Sequence, residues 1–421
     1  MTLNRRDFLK ISGAGVAAAL TGCATQPSAS ATRAHVVVVG AGFGGATCAK
    51  FMRLWDPGIA VTLIEPNDKF VSCPISNWVL GGLRSMDDIT HGYGRLPKHG
   101  IKMVKDHVVA IDPAKRTVTT RGGASIGYDR LVLAPGIEIL TDTVKGFKEA
   151  EAAGQVVHAW KAGAQTALLR KQLEAMPDGG TYVLSVPAAP YRCPPGPYER
   201  TCMVAHYFKQ AKPRSKIILL DGNPDIVSKK ALFMDAWNTF YPGMVDYRPN
   251  NAPLAVDGST MLVSTEFDTV KGDVLNVVPR QRAGEVCALA GARNDSTGTW
   301  CTVDFTTFES TTVPNVHIIG DSILAGLPKS GHMATNQAKV CAAAIVELLA
   351  GRQPDPTPVI ANTCYSATSG TTAGHVAHVY RFEPGKGYVA QPEGGATARG
   401  DETNFTYMES WSKNIWANVL S

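Results

Sequence analysis

The sequence predicts an α/β fold made of two strand–turn–helix units and a third, C-terminal part of different composition. Three observations predict it. A run of β-branched residues, Val36–Val39, enters a glycine-rich turn and then a stretch with helical spacing. A second strand–turn–helix pattern begins at Gly180. After Pro354 the chain becomes rich in Gly, Ser, Thr and Pro. A length of 421 residues with 44% hydrophobic content suits two to three domains with a sizeable core. The net charge of +5 is spread evenly and argues against a nucleic-acid partner.

The first ten residues set a destination. Asn4-Arg5-Arg6-Asp7-Phe8-Leu9-Lys10 is a twin-arginine pattern, followed by a weakly apolar, Ala- and Gly-rich stretch from Ile11 to Thr21. Twin-arginine export carries folded proteins, so a cofactor can be inserted beforehand and the mature protein is expected in the periplasm. Asn4 stands where Ser or Thr usually precedes the arginine pair. Two cleavage sites fit. Leu20-Thr21-Gly22-Cys23 would leave a lipid-anchored Cys23, the only expected membrane contact. Ala29-Ser30-Ala31 would leave a soluble chain and is favoured. Residues 1–31 are therefore set aside as signal.

The first unit reads His35–Val39 as a buried strand, then Gly40-Ala41-Gly42-Phe43-Gly44-Gly45, then a helix over Ala46–Trp55. This GxGxxG pattern between strand and helix is the mark of a Rossmann-like dinucleotide-binding domain. Gly40 allows the tight turn, Gly42 the approach of a pyrophosphate, and Gly45 close packing of helix on strand. A second strand, Ala60–Ile64, ends in Glu65, about 20 residues after Gly45, where a carboxylate would bind ribose hydroxyls.

Two later segments favour FAD over NAD. Tyr128–Gly136 is a strand running into a small-residue turn, and Asn315–Gly320 is another strand, followed by Asp321. Both resemble motifs of glutathione-reductase-like flavoproteins with two dinucleotide domains. That resemblance implies that Asp321 binds the ribityl chain and that a second domain is inserted between Gly136 and Asp321. Lys329, Ser330 and Gly331 precede an apolar helix, His332–Leu349, whose N-terminus would stabilise negative charge on a reduced flavin.

The inserted unit has strands at Thr181–Val186 and Lys216–Leu220, the latter ending at Asp221. Between them, where a nicotinamide-binding domain carries glycines, stands Pro187–Arg200 with five prolines. Proline has no N–H to offer a pyrophosphate, and its ring blocks close approach. The expectation is a domain that keeps the shape of a nicotinamide site without its function. The expected division is 32–145 with 287–355 for FAD, 146–286 for the second Rossmann-like domain, and 356–421 for the C-terminal domain.

Four segments then carry a family resemblance: FVSCPISNWVLGG at Phe70–Gly82, RCPPGPYER at Arg192–Arg200, PKSGHMATNQAK at Pro328–Lys339 and NTCYS at Asn362–Ser366. They resemble the flavoprotein subunit of flavocytochrome c sulfide dehydrogenase, with sulfide:quinone oxidoreductases as the next relatives. The resemblance implies three roles. Cys73 would attach FAD covalently through its 8α-methyl group, although Pro74 departs from the expected motif. Cys193 and Cys364 would form a redox disulfide over the flavin. Glu199 would handle protons beside it.

It also implies oxidation of hydrogen sulfide to sulfur or polysulfide, with electrons passing to a c-type cytochrome. Thiol–disulfide exchange supplies the chemistry: hydrosulfide attacks one sulfur, leaving a persulfide and a thiolate. Blander readings stand beside these: a buried free thiol at Cys73, a structural Cys193–Cys364 bridge, and Glu199 in a solvated ion pair with Arg192 or Arg200. Two other functions remain open, a membrane-associated sulfide:quinone oxidoreductase and a non-catalytic FAD-carrying scaffold of a sulfur-oxidation complex.

No CxxCH occurs, so any haem c belongs to a partner subunit. Cys48 and Cys341 fall on apolar helix faces, Cys202 is expected to pack on its helix, and Cys287 and Cys301 are free or paired with each other. In the C-terminal part, Ser366–Gly374 and Glu383–Gly400 predict loops, and the last residues, Tyr407–Val419 with Trp411 and Trp416, show no basic amphipathic helix with a broad apolar face. Cytochrome docking is thus favoured over membrane insertion for 356–421.

Overall fold

A computed structural model describes residues 32–421; the twin-arginine leader and Cys23 lie outside the described residues. Strand β1 (Ala34–Val39) has Val36, Val37 and Val38 fully buried and leads through the glycine turn into α1 (Phe43–Trp55). Strands β2 (Ile59–Ile64), β3 (Ile101–Val104) and β4 (Arg130–Leu133) follow. The chain then leaves through β5 (Ile137–Ile139).

The second sheet collects β6 (Val156–Val157), β7 (Thr181–Val186), β8 (Lys216–Asp221), β9 (Val245–Arg248) and β10 (Val274–Val277). Helix α2 (Gly196–Ala211) lies between β7 and β8, and α3 (Lys230–Phe240) between β8 and β9. The order β6–β10–β7–β8–β9 is parallel throughout. These strands are near-continuous runs of apolar residues, as a sheet covered on both faces requires.

The return is made by β11 (Gln281–Ala283), antiparallel to β5, and β12 (Val316–Ile318) completes the first sheet as β12–β4–β1–β2–β3. Ala283 packs in the first core together with Ile137. Helix α4 (Gly331–Leu349) then crosses α1.

Beyond it, β13 (Val359–Ala367), β14 (Ala373–Glu383) and β15 (Gly387–Ala390) form an antiparallel sheet. The chain ends in α5 (Glu402–Leu420), capped by the Asp401 carboxylate, which accepts from the Asn404 amide at 2.7 Å. No such helix was expected from the sequence. Its apolar positions Phe405, Met408, Ile415, Trp416 and Val419 are separated by polar and small residues, which dilute the pattern. Those side chains pack against both large cores, and Trp416 Nε1 donates to Ser72 Oγ at 2.8 Å. Among the described residues no helix is long and apolar enough to cross a membrane.

Candidate functional site

The glycine turn between β1 and α1 is built around two contacts that only glycine tolerates. Gly40 has φ +94, and a Cβ there would stand 2.6 Å from the Ala134 carbonyl oxygen. A Cβ on Gly45 would fall 1.8 Å from the Gly40 carbonyl oxygen, which is why helix and strand can approach. Gly42 instead faces open space on the wall of a cavity of about 500 Å³. Glu65 ties this turn: Oε2 accepts from the Ala41 amide at 2.8 Å, and Oε1 from the Asn67 amide and Nδ2 at 3.0 and 2.6 Å. An ionised carboxylate has about four acceptor positions, so Oε2 keeps capacity for a ribose hydroxyl.

The opposite wall carries Asp321. The residue is half-buried, its Oδ1 is shut from solvent and has no hydrogen-bond partner, and desolvation pushes its carboxyl up while Arg192 and Lys329 pull it down. An orphaned buried acceptor at a cavity wall calls for a donor from a bound molecule. Together with the open face at Gly42, it makes this cavity fit the ribityl and pyrophosphate parts of FAD.

Ser330 caps α4, accepting from the Met333 amide at 3.1 Å and donating to Asn362 Oδ1 at 2.7 Å. A Cβ on Gly331 would press on the Phe43 ring at 2.9 Å. Both residues line the cavity; Lys329 does not. Expected to contact the cofactor, the Lys329 ammonium turns behind the wall. It donates to the Asp321 and Ile323 carbonyls at 2.9 and 2.7 Å and sits 3.9 Å over the Trp300 ring. Burial lowers it to about 8. Its contribution is to hold the Asp321 turn in place.

Cys73, Cys193 and Cys364 come from three separate parts of the chain and line this one cavity. Cys364 stands close enough to Cys193 to raise its thiol pKa. Cys193 adopts the left-handed backbone region at φ +61, uncommon for a non-glycine residue, with its amide donating to the Lys329 carbonyl at 2.8 Å. Burial pushes both thiols up, but the Lys229 ammonium, 3.8 Å from Cys364 Sγ, pulls Cys364 back.

The remaining cysteines among the described residues are buried away from the cavity. Cys202 packs in the second core, Cys287 lies beside Cys301, and Cys48 lies beside Cys341, none of them bonded.

Glu199, in the first turn of α2, is only 6% exposed. Burial lifts its carboxyl to about 7 against the pull of Lys229, and Oε1 has no partner. The solvated ion pair with Arg192 or Arg200 does not exist. Arg200 is itself buried and bonds Asn77 Oδ1, Asn276 Oδ1 and the Ala159 carbonyl at 3.1, 2.7 and 2.8 Å. The Arg192 guanidinium donates to the Trp160 carbonyl.

Lys229 is the site residue that the sequence did not reveal. It follows Ser228 in an ordinary-looking loop, and only the packing of that loop against β13 brings it to Cys364. His332 was quoted in a motif without a role. Its Nδ1 accepts from the Thr363 amide at 2.8 Å, and burial lowers it to about 4, so the ring is neutral at the cavity wall.

In the second sheet, the acid that would hold a nicotinamide ribose is spent internally. Asp221 accepts from the Tyr198 and Tyr247 hydroxyls at 2.7 and 3.1 Å and from the Asn223 amide at 3.0 Å, and is fully buried. The proline loop closes over it: a Cβ on Gly222 would meet the Ala188 nitrogen at 2.6 Å.

Comparison with known proteins gives the chain its family and fold. Residues 34–173 match the pyridine nucleotide-disulphide oxidoreductase family. Residues 166–279 match the central part, and 356–420 the flavin-binding part, of the flavocytochrome c sulfide dehydrogenase flavoprotein chain. Residues 2–22 match the twin-arginine translocation signal, which supports export to the periplasm by that route.

The chain is 64% identical over 45 residues to the sulfide dehydrogenase [flavocytochrome c] flavoprotein chain of Chlorobaculum thiosulfatiphilum, 11% of this chain and 94% of that one. It is 25% identical over 368 residues to the sulfide-quinone reductase of Aquifex aeolicus, covering 81% and 82% of the two chains. Among solved structures, sulfide:quinone oxidoreductase from Aquifex aeolicus superposes with a TM-score of 0.75 at 22% identity, over 91% of each chain. The covalent putidaredoxin reductase–putidaredoxin complex gives 0.62 at 16% identity, over 91% of this chain and 93% of that one. At these identities the solved structures show the shared fold of two Rossmann-like domains.

Proposed function

Because this chain belongs to the family of flavoprotein chains of flavocytochrome c sulfide dehydrogenase, we propose that it oxidises hydrogen sulfide to sulfur or polysulfide and delivers the electrons to a haem c-bearing cytochrome subunit. The observation that carries the reading is the meeting of Cys193, Cys364 and the raised carboxyl of Glu199 on the wall of the cavity that fits FAD. FAD, when bound, accepts electrons in pairs and can release them singly, which suits a sulfur donor and a haem acceptor.

The chain's own residues have separate tasks. Gly40, Gly42 and Gly45 admit the pyrophosphate, Glu65 takes a ribose hydroxyl, and Asp321 takes the ribityl chain. The α4 N-terminus at Ser330 and Gly331 offers its amides to negative charge. Cys73 is the point of covalent attachment to the 8α-methyl group, which would keep the cofactor in the periplasm. The Cys193–Cys364 disulfide is opened by hydrosulfide, and Glu199, with a carboxyl near neutrality, carries the proton that accompanies sulfur release. The proposed division of the chain is 32–145 with 287–355, 146–286 and 356–421, the last as the cytochrome-docking part.

A membrane-dipping C-terminus is disfavoured, because α5 spends its apolar side chains on the two cores and exposes only Tyr407 among its large hydrophobic residues. A non-catalytic scaffold is separated from the enzyme by an anaerobic titration with sulfide. The expected result is bleaching of the flavin absorbance in the native protein and none in Cys193→Ser. An unchanged native spectrum overturns the catalytic reading. Flavin freed by acid precipitation rules out the link at Cys73. Co-purification of a haem protein from the native periplasm tests the partner.

A further inference from the structure

Lys229 lies outside every motif singled out in the sequence, and its surroundings are those of a working group. The residue precedes α3 with a left-handed backbone, φ 56, and its side chain is buried. The ammonium has three protons to place. Two contacts are neutral acceptors, the Cys364 carbonyl at 2.9 Å and Ser366 Oγ at 2.8 Å, and the third contact is Cys364 Sγ at 3.8 Å.

Cys193 Sγ has no such contact. Arg192 pulls its thiol down from a distance, but the guanidinium donates to the Trp160 carbonyl and not to the sulfur. The two sulfurs that share the cavity are therefore electrically unequal.

We propose that Lys229 is a positioning residue that makes Cys364 the leaving sulfur of the pair, so that hydrosulfide attacks Cys193. This rests on the disulfide reaction proposed above. The lone pair of HS⁻ forms a new S–S bond to Cys193 Sγ, and the Cys193–Cys364 bond breaks with its electron pair going to Cys364. The products are a Cys193 persulfide, which keeps the hydrosulfide proton, and a Cys364 thiolate. One negative charge enters and one remains, and the hydrosulfide sulfur is oxidised as the disulfide is reduced.

In such an exchange the negative charge builds on the two outer sulfurs and least on the central one, and the thiol of lower pKa leaves faster. An ammonium at Cys364 thus favours the outer, leaving position for that sulfur. The groups facing Cys364 are Lys229 ahead of α3, Glu199 from α2, Cys193 from the proline loop and neutral His332 from α4. With its proton on, Glu199 leaves the Lys229 charge undivided for Cys364.

The test needs the holoprotein and no variant. One equivalent of sulfide is added anaerobically to oxidised protein, the mixture is rapidly quenched with an alkylating agent before the flavin absorbance falls, and the cysteine peptides are weighed by mass spectrometry. The expected result is a persulfide on Cys193 and an alkylated thiol at Cys364. A persulfide on Cys364 overturns the proposal while leaving sulfide oxidation intact. Persulfide and free thiol on neither cysteine in samples quenched before the flavin bleaches, with the flavin then becoming reduced, overturn the disulfide reaction itself.

A second measurement follows the alkylation rate of Cys364 against pH in the reduced protein. Lys229→Met should move the profile to higher pH and slow alkylation at neutral pH by about tenfold, the effect of one unit of thiol pKa. Lys229→Arg should restore it. An unmoved profile in Lys229→Met, with flavin content and melting temperature preserved, overturns the role.

Discussion

Glu199 is where burial does the most to a single side chain. A carboxyl lifted from 4.5 to about 7 binds a proton in the folded protein that it releases in the unfolded chain throughout that interval. The folded state holds more protons there, so stability falls as pH rises from about 4.5 to about 7, by roughly 3 kcal/mol in all. Glu199→Gln removes that loss. It should melt at a higher temperature than the native protein at pH 8 and close to it at pH 4.5, which thermal scans at the two pH values would check. The same variant should lose sulfide-driven flavin reduction by about 10²–10⁴-fold, the usual worth of a positioned acid or base, as stopped-flow absorbance would report. A stable variant with undiminished rate would leave Glu199 a purely structural acid. Asp321 contrasts with it. Its unpartnered Oδ1 lies at the cavity wall, where a ribityl hydroxyl of the proposed FAD would supply the missing donor.

At the scale of elements, the nucleotide turn is fixed by a contact that leaves no room for adjustment. A methyl group at Gly45 would collide with the Gly40 carbonyl oxygen at 1.8 Å, both atoms being main-chain-bound, so α1 would have to move off β1. Gly45→Ala should yield protein with little or no flavin, measured as the ratio of flavin to protein absorbance. At the other end of the chain, Asp401→Ala removes the α5 cap and should cost about 1 kcal/mol, seen as a lower denaturant midpoint, with sulfide oxidation unchanged. The two elements differ in how far the sequence exposes them. The first strand, turn, helix and Glu65 announce themselves because each obeys one local rule. Helix α5 keeps helical spacing at Phe405, Met408, Trp411, Ile415 and Val419, but the polar residues between them blur it, and its partners, Trp78 stacked on Phe405 at 4.6 Å and Ser72 on Trp416, lie more than 300 residues away in sequence.

Across the whole molecule, the cavity is assembled from the first sheet, the proline loop of the second and β13 of the C-terminal part, and this decides what the sequence could disclose. Cys193 and Cys364 were legible because each sits in a distinctive motif. Their relation to Lys229 was not, because a buried lysine differs from an exposed one only in what folds over it. The turn of Lys329 away from the cavity was hidden for the same reason: its acceptors are main-chain carbonyls, which no residue type marks. The proline loop, by contrast, could be read in advance as a lost phosphate cradle, and the fold adds a second barrier. An NAD ribose needs a free carboxylate at the end of the second strand of its sheet. Asp221 stands at the end of β8 with both oxygens occupied, in contact with Tyr198, Tyr247 and Asn223 and fully buried. Reopening that site would strip partners from a buried charge, at a cost of several kcal/mol. Anaerobic addition of NADH or NADPH should therefore leave the flavin spectrum unchanged at concentrations where sulfide bleaches it. Asp221→Asn should destabilise the second sheet without creating nucleotide binding, because Pro187–Pro197 still withholds the amides a pyrophosphate requires. Rapid bleaching by NADH in the native protein would mean that the loop and the tyrosine cluster open in solution, and that sulfur is not the sole donor this flavin meets.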